Sequence, residues 1–232
     1  GPDAVAEILL GVPAGSWVVV NALDYSDLEI VALGVARAER LGGTFVFRSG
    51  PSFVKPLLGI ETVPPVTKDV IWAGLPQRPD TNSRGLIMVG SHTSLSTSQM
   101  DSLLANRSVN HLVVDVAQLL VNDAGRLEYM NEVAKQAIES LKENITLIST
   151  SRTVVPGADM AENLDIARSV SSGMSHILRL IAAHFPAWVI GKGGITSHDL
   201  AVQGLGITRA RVLGQLFTGN ISVFRPLVAS SD

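Results

Sequence analysis

Short runs of apolar, often β-branched residues alternate along the chain with longer stretches in which apolar residues recur at helical spacing. Continuous apolar runs are typical of strands buried on both faces of a sheet. The predicted strands are 16–21, 44–47, 85–90, 111–115, 144–149, 187–190 and 211–214, and the predicted helices are 26–40, 51–58, 99–105, 127–141 and 160–183. This order predicts an α/β fold with Rossmann-like, mostly parallel sheets in three layers, in two parts each built from βα units.

A proline-rich segment separates the two parts. Between Gly59 and Arg84 there are few regular apolar periods and four prolines, Pro64, Pro65, Pro76 and Pro79. Such a composition is typical of a connecting segment. We therefore expect a first domain over residues 1–75 and a second over 76–232.

The composition argues against nucleic acid and membranes as binding partners. Charged residues make up 17% of the chain and the net charge is −3, so no strong field favours nucleic acid or an anionic membrane surface. No apolar stretch reaches the length of a membrane helix. The absence of cysteine excludes disulfides and thiolate metal sites. We expect a soluble, cytoplasmic protein whose partners are neither nucleic acid nor membrane.

The segment 191–197 carries the strongest functional signal. Three glycines, Gly191, Gly193 and Gly194, follow a predicted strand, and Thr196 and Ser197 then open a predicted helix. Clustered glycines let backbone N–H groups approach a phosphate, and either hydroxyl could cap the helix. The spacing matches neither the P-loop nor the dinucleotide fingerprint. A tight turn that only packs helix against sheet is the structural alternative.

Two other strand ends add candidate residues. Gly90 to Ser94 ends the strand 85–90, at the edge where open α/β sheets bind ligands, although these hydroxyls could simply cap the following helix. Ser149 to Arg152 ends another strand, and Arg152 is a candidate phosphate contact. Two glycine turns at one edge strengthen the hypothesis of a phosphate site.

Arg48 and Ser49 follow a predicted strand in the first part. The planar fork of arginine suits a carboxylate or a phosphate, but a salt bridge to Asp24 or Asp27 is an equal alternative. The five histidines show no metal-ligand spacing, so we predict no protein metal site. We expect Asp199 to lie in the first turn of a helix, where a carboxylate favours the helix dipole.

Four stretches, in order and spacing, resemble the four-carbon acid sugar kinase family. They are 20–29, 47–54, 89–99 and 193–197, which include Asn21-Ala22, Arg48-Ser49-Gly50, Gly90-Ser91-His92-Thr93-Ser94 and Gly193-Gly194-Ile195-Thr196-Ser197. The resemblance implies ATP- and Mg²⁺-dependent phosphorylation of a sugar acid such as threonate, erythronate or 3-dehydrotetronate. It also implies that ATP contacts Ser91, Gly193, Gly194, Ile195 and Thr196, and that Arg48 and Ser49 face the sugar acid. It assigns no catalytic base.

Members of that family are about twice as long as this chain. The resemblance implies that residues 1–75 are the end of the substrate-binding domain and that 76–232 are the nucleotide-binding domain, truncated before a last glycine-rich turn. We therefore expect weak kinase activity or none from this chain alone. A noncatalytic nucleotide-binding regulatory module and a phosphate-sugar enzyme of another reaction type stay open as alternatives, as does a homodimer.

Overall fold

In a computed structural model the chain forms two compact units. The structure describes residues 1–74, 85–90, 93–121, 123–152, 155–184, 186–217 and 220–229. Unit 1 comprises residues 1–68 and 214–223, and unit 2 comprises residues 69–213 and 224–232. The predicted boundary after residue 75 lies outside the described residues.

Three helices form most of unit 1: α1 (Pro2–Gly11), α2 (Tyr25–Arg40) and α3 (Pro51–Leu57). The predicted helices 26–40 and 51–58 are confirmed. Helix α2 starts where the Asp24 carboxylate accepts hydrogen bonds from the backbone N–H groups of Ser26, at 2.8 Å, and Asp27, at 3.2 Å. The Ser26 hydroxyl also donates to this carboxylate, and together these bonds lower the pKa of Asp24.

Small residues bring α1 and α2 together. Gly34 lies so close to α1 that a Cβ atom built on it would be 2.5 Å from the Cβ of Val5. Ala6 of α1 and Ala38 of α2 are buried, and the Arg37 guanidinium of α2 donates to the Asp3 carboxylate of α1. Because no side chain intervenes at Gly34, the two helix backbones approach closely.

The predicted strands 16–21 and 44–47 are wrong for this unit. Both segments lie outside any helix or sheet. Trp17 is 83% exposed, Val19 is 84% exposed and Val46 is fully exposed. A strand forms only when another backbone pairs with it, and none of the described strands pairs with these segments. The two segments therefore form no sheet, although their composition is typical of strands.

Unit 2 contains a four-stranded sheet, in which all described pairs are parallel, in the order β2-β3-β1-β4. Its strands are β1 (Gly85–Val89), β2 (Asn110–Val114), β3 (Thr146–Thr150) and β4 (Trp188–Lys192). The helices are α4 (Lys68–Trp72), α5 (Ser94–Asn106), α6 (Val116–Leu119), α7 (Asp123–Glu143), α8 (Met160–Ala182) and α9 (Gly194–Asp199), which continues into a π-helix (Leu200–Gly204). A two-stranded sheet follows, formed by β5 (Ile207–Phe217) and β6 (Asn220–Ala229).

The four-stranded sheet of unit 2 is covered on both faces. One face packs against α7, α8 and the π-helix in a core that includes Leu86, Ile148, Ala137, Ile177 and Leu200. The other face packs against α5 in a smaller cluster that includes Val89, Met100 and Leu147. This confirms the predicted three-layer α/β fold in unit 2. No helix in the described ranges is both long and apolar enough to cross a membrane.

The folded environment lowers the pKa of two half-buried histidines of unit 2. Burial lowers the pKa of His111, and the nearby Arg152 charge lowers it further. Burial also lowers the pKa of His176, with smaller effects from Arg179 and Arg126. The buried Nε2 of His176 has no hydrogen-bond partner among the described residues. Both imidazoles are therefore harder to protonate in the folded chain than in the unfolded chain.

We predict that the free energy of unfolding falls as the pH drops from 7 to 5. The unfolded chain takes up these protons near pH 6.5, whereas the folded chain takes them up only at lower pH, so acid favours unfolding. Urea unfolding at both pH values measures the effect. A His176→Leu variant should lose part of this pH dependence, with exposed His184→Leu as the control, and an unchanged dependence in His176→Leu would contradict the assignment.

Candidate functional site

The topology of unit 2 favours ligand binding at the carboxyl end of β1. From β1 the chain enters α5 on one face of the sheet, whereas from the neighbouring β3 it enters α8 on the opposite face. A crevice opens where the connections of adjacent parallel strands diverge in this way, and ligands of open α/β sheets bind there. We call the residues at the carboxyl ends of β3, β1 and β4 the sheet-edge site: Gly90, Ser149 to Arg152, and 192–196.

Gly193 sets the direction of the chain between β4 and α9. Its φ of 109° and ψ of 140° fall in a region that only glycine adopts without strain. It is the N-cap of α9, but no side chain caps the helix there. The backbone N–H groups of Gly194, Ile195 and Thr196 consequently have no hydrogen-bond partner among the described residues, and they point out of the helix end.

The predicted capping role of Thr196 and Ser197 is wrong. They are the third and fourth residues of α9, and the Ser197 hydroxyl donates to the Gly191 carbonyl at 2.8 Å. Strand β4 also runs through Lys192, so Gly191 belongs to the strand and not to the turn. Because no hydroxyl group in the described part of the chain binds at the helix end, its N–H groups stay available to a ligand.

The two predicted glycine turns meet at this edge. A Cβ atom built on Gly90 would lie 2.6 Å from the Thr196 hydroxyl oxygen, so only glycine allows this approach without a shift. The predicted contact Ser91 lies outside the described residues, as does His92. For Thr93 the capping alternative is confirmed, since its hydroxyl accepts from the Ser96 backbone N–H at 3.3 Å.

The hydroxyl groups at the end of β3 are used inside the protein. The Ser149 hydroxyl lies 2.9 Å from Nε2 of His111, and the Ser151 hydroxyl accepts from the Val116 backbone N–H at 3.1 Å. Arg152 follows at the same edge, with Nη2 3.2 Å from Sδ of Met100. These contacts hold β2, β3 and α5 together around the site.

Asp199 has a role that sequence reasoning missed. It is the last residue of α9, not a first-turn residue, so the predicted dipole role is wrong. Its carboxylate accepts a hydrogen bond from the Ser171 hydroxyl of α8, 28 positions away in sequence, and a longer one from Gln203. No local sequence pattern predicts this hydrogen bond between Ser171 and Asp199, which joins α9 to α8.

The electrostatics of the edge favour an anion. The start of α9 carries the positive end of the helix dipole together with three free N–H groups. Lys192 is half-buried at the end of β4, and its ammonium group makes no ion pair among the described residues. The described ranges contain no group of three or more His, Asp or Glu side chains placed to hold a metal ion. The arrangement can therefore hold a phosphate through backbone donors.

Arg48 and Ser49 lie in unit 1, where both are exposed. The alternative salt bridge is not observed, because Arg48 makes no ion pair within the described part of the chain. Asp24 caps α2, and the Asp27 carboxylate accepts from the Leu23 backbone N–H at 2.9 Å. The guanidinium is thus free to meet a ligand.

Two solved structures resemble the chain. One is a domain of unknown function (DUF1537) from Bordetella bronchiseptica, crystallised with bound citrate as a domain-swapped dimer. The match has 20% identity and a TM-score of 0.49 and covers 94% of this chain and 47% of that one. The other is a DUF1537 protein from Haemophilus influenzae, with 22% identity, a TM-score of 0.44 and coverage of 84% and 43%. The chain thus spans about half the length of these proteins.

A comparison with curated proteins found no match. A family model, described as the nucleotide-binding C-terminal domain, matches residues 86–229. This match includes the whole sheet-edge site and more than half of the chain. With Gly90 and the free N–H groups of α9 inside the matched region, the chain belongs to the nucleotide-binding C-terminal domain family.

Proposed function

We propose that the sheet-edge site binds the phosphates of ATP, and that the chain is the nucleotide-binding part of a four-carbon acid sugar kinase. The observation that carries the proposal is the uncapped start of α9, with its free N–H groups beside Gly90, inside the matched nucleotide-binding region. Backbone donors at a helix start are well suited to a phosphate, because the donors and the helix dipole act in the same direction.

In this proposal Gly194, Ile195 and Thr196 donate their N–H groups to phosphate oxygens. The Thr196 hydroxyl, which faces Gly90, adds a donor on the β1 side. The Lys192 ammonium offsets part of the phosphate charge. Ser91 would complete the site from the β1 turn, as the family resemblance implies.

Mg²⁺ would enter mainly with the nucleotide. Bound to nucleotides, Mg²⁺ keeps several waters and takes only one or two ligands from the protein. The hydroxyl oxygen of Thr196, which faces Gly90 at this edge, would be one such ligand. The residues present therefore fit a Mg²⁺ ion held chiefly by the phosphates, which would neutralise charge that develops during phosphoryl transfer.

The proposal assigns residues 1–75 to the end of a substrate-binding domain and residues 76–232 to the nucleotide-binding domain. Arg48 and Ser49 are the proposed contacts to the sugar acid, which would be threonate, erythronate or 3-dehydrotetronate. The guanidinium of Arg48, which is exposed and makes no ion pair in the described ranges, supports this role, since its planar fork binds a carboxylate with two hydrogen bonds. Positioning of the two substrates would supply most of the catalysis.

Gly194→Val tests the phosphate contact. A Cβ atom on Gly194 would meet nothing within 4 Å, so the variant should fold normally. Its side chain would occupy the space that a phosphate needs next to the N–H group. We expect the affinity for ATP with Mg²⁺ to fall about tenfold or more, since each hydrogen bond to a charged group is worth ~1.5–3 kcal/mol.

Calorimetric titration measures this affinity, with GTP and inorganic phosphate alongside ATP. Gly11→Val is the matched control, because a Cβ atom on Gly11 also meets open space but lies in unit 1. Unchanged ATP affinity in a folded Gly194→Val protein would exclude the α9 start as the phosphate site. Binding of phosphate without preference for ATP would favour a phosphate-sugar enzyme of another reaction type.

Arg48→Ala tests the assignment of the sugar acid. We expect ATP with Mg²⁺ to give slow ADP release that a four-carbon acid accelerates, and we expect the KM for the acid to rise about tenfold or more in Arg48→Ala. Arg48→Lys should recover part of the loss, and the ATP affinity should not change. ATP binding without acid-dependent turnover, persisting when the full-length protein is tested, would instead favour a noncatalytic regulatory module.

A further inference from the structure

Helix α8 is much longer than the strands beside it. Its 23 residues span about 34 Å, whereas a five-residue strand spans about 17 Å. The second half of α8 is packed in the core through Met174, Ile177, Leu178 and Ile181. Residues 160–165 are all exposed. The first turns of α8 therefore project beyond the core of unit 2.

Three contacts show how α8 and α9 lie side by side. Near the sheet edge, the Ser171 hydroxyl donates to the Asp199 carboxylate. Further along, a Cβ atom on Gly204 would be 2.8 Å from Cδ2 of Leu178, and Arg179 donates to the Gln203 carbonyl at 2.8 Å. The contacts follow the same order in both segments, so the helices run in the same direction.

This pairing places the projecting turns next to the sheet-edge site. Gly194 precedes Asp199 by five residues, which is about 7.5 Å of helix. For parallel helix axes, the level of the first α9 amide corresponds to residue 166 of α8, and residues 160–165 extend past it. Leu164 lies about 3 Å beyond this level and Met160 about 9 Å beyond it.

Met160 and Leu164 also point in the right direction. At 3.6 residues per turn, Met160, Leu164 and Leu178 all fall within about 20° of Ser171 around the helix axis. Ser171 and Leu178 contact α9 and the π-helix, so the first two residues continue the same face of α8 above the α9 start. Met160 is 88% exposed and Leu164 is 50% exposed.

Packing does not explain this apolar pair. The start of α8 is held locally, because the Asp159 carboxylate accepts from the Glu162 backbone N–H at 2.8 Å and the Glu162 carboxylate accepts from that of Ala158. The neighbouring Asn163 and Asp165 are polar and exposed. Two large apolar side chains are therefore left mostly exposed, at Met160, and half-exposed, at Leu164, on this face of α8.

We propose that Met160 and Leu164 form a platform for the base of the nucleotide whose phosphates bind at the start of α9. This inference rests on the proposed nucleotide-binding function. A nucleotide base is flat and weakly polar on its faces, and it lies several ångströms from its phosphates. An aliphatic side chain and a polarizable thioether suit such a face. The platform continues the α8 face that already contacts α9.

The test compares ATP with inorganic triphosphate, which carries a similar chain of phosphates without a base. The double variant Met160→Ser, Leu164→Ser should bind ATP about tenfold more weakly, because apolar contact area is lost. Its affinity for inorganic triphosphate should not change. Leu127→Ser on α7 is the matched control, since Leu127 is 46% exposed and lies on another helix.

A second measurement observes the platform directly. The chain has five methionines, and the other four are buried, so the Met160 methyl group should give a distinct signal in a methyl NMR spectrum. ATP should shift this signal through the ring current of the base, and triphosphate should not. An unshifted Met160 methyl, or unchanged ATP affinity in the double variant, would overturn the platform. If the unmodified protein binds neither ligand, the proposed function itself fails and the platform with it.

Discussion

The conformation of Gly193 is the constraint on which the candidate site depends. Its positive φ turns the chain from β4 into α9 without a capping side chain, and the first three N–H groups of the helix have no partner among the residues that the structure describes. A residue with a Cβ atom would adopt this backbone only with strain. The turn therefore decides both the position and the chemistry of the phosphate-binding edge.

Contacts on two sides keep this turn in place. On the sheet side, the Ser197 hydroxyl donates to the Gly191 carbonyl, and Gly90 leaves room for Thr196. On the helix side, Ser171 bonds to Asp199, and the π-helix that follows packs closely on Leu178. The start of α9 is thus supported by both neighbouring layers, which reduces the ordering that a bound phosphate would have to impose.

The sequence was informative where structure follows from local patterns. The strands of unit 2 and the long helices α7 and α8 were predicted, because buried strands and amphipathic helices leave a periodic signal. The segment 16–21 carries the same signal, yet it forms no strand, because pairing depends on another backbone and not on local composition. The local amino-acid pattern thus predicts which segments can form strands, but not which of them pair in a sheet.

In the candidate site, too, some features could be predicted from the local sequence and others could not. The glycine turns and their place at one sheet edge could be predicted from strand ends, since parallel strands share their carboxyl edge. The free helix start could not, because Thr196 and Ser197 look like caps until the turn at Gly193 is known. The bond between Ser171 and Asp199 joins residues far apart in sequence and leaves no local signal. Whether Arg48 and Ser49 meet a sugar acid stays a prediction.

The most direct test of the central claim is an amide NMR titration of the chain with ATP and Mg²⁺. Bound phosphates should shift the amide signals of Gly194, Ile195 and Thr196 most strongly, with a smaller shift at Gly90, because these N–H groups would change from solvent to a charged acceptor. Strong shifts confined to another surface, such as β5 and β6, would contradict the assignment of the phosphate site to the start of α9.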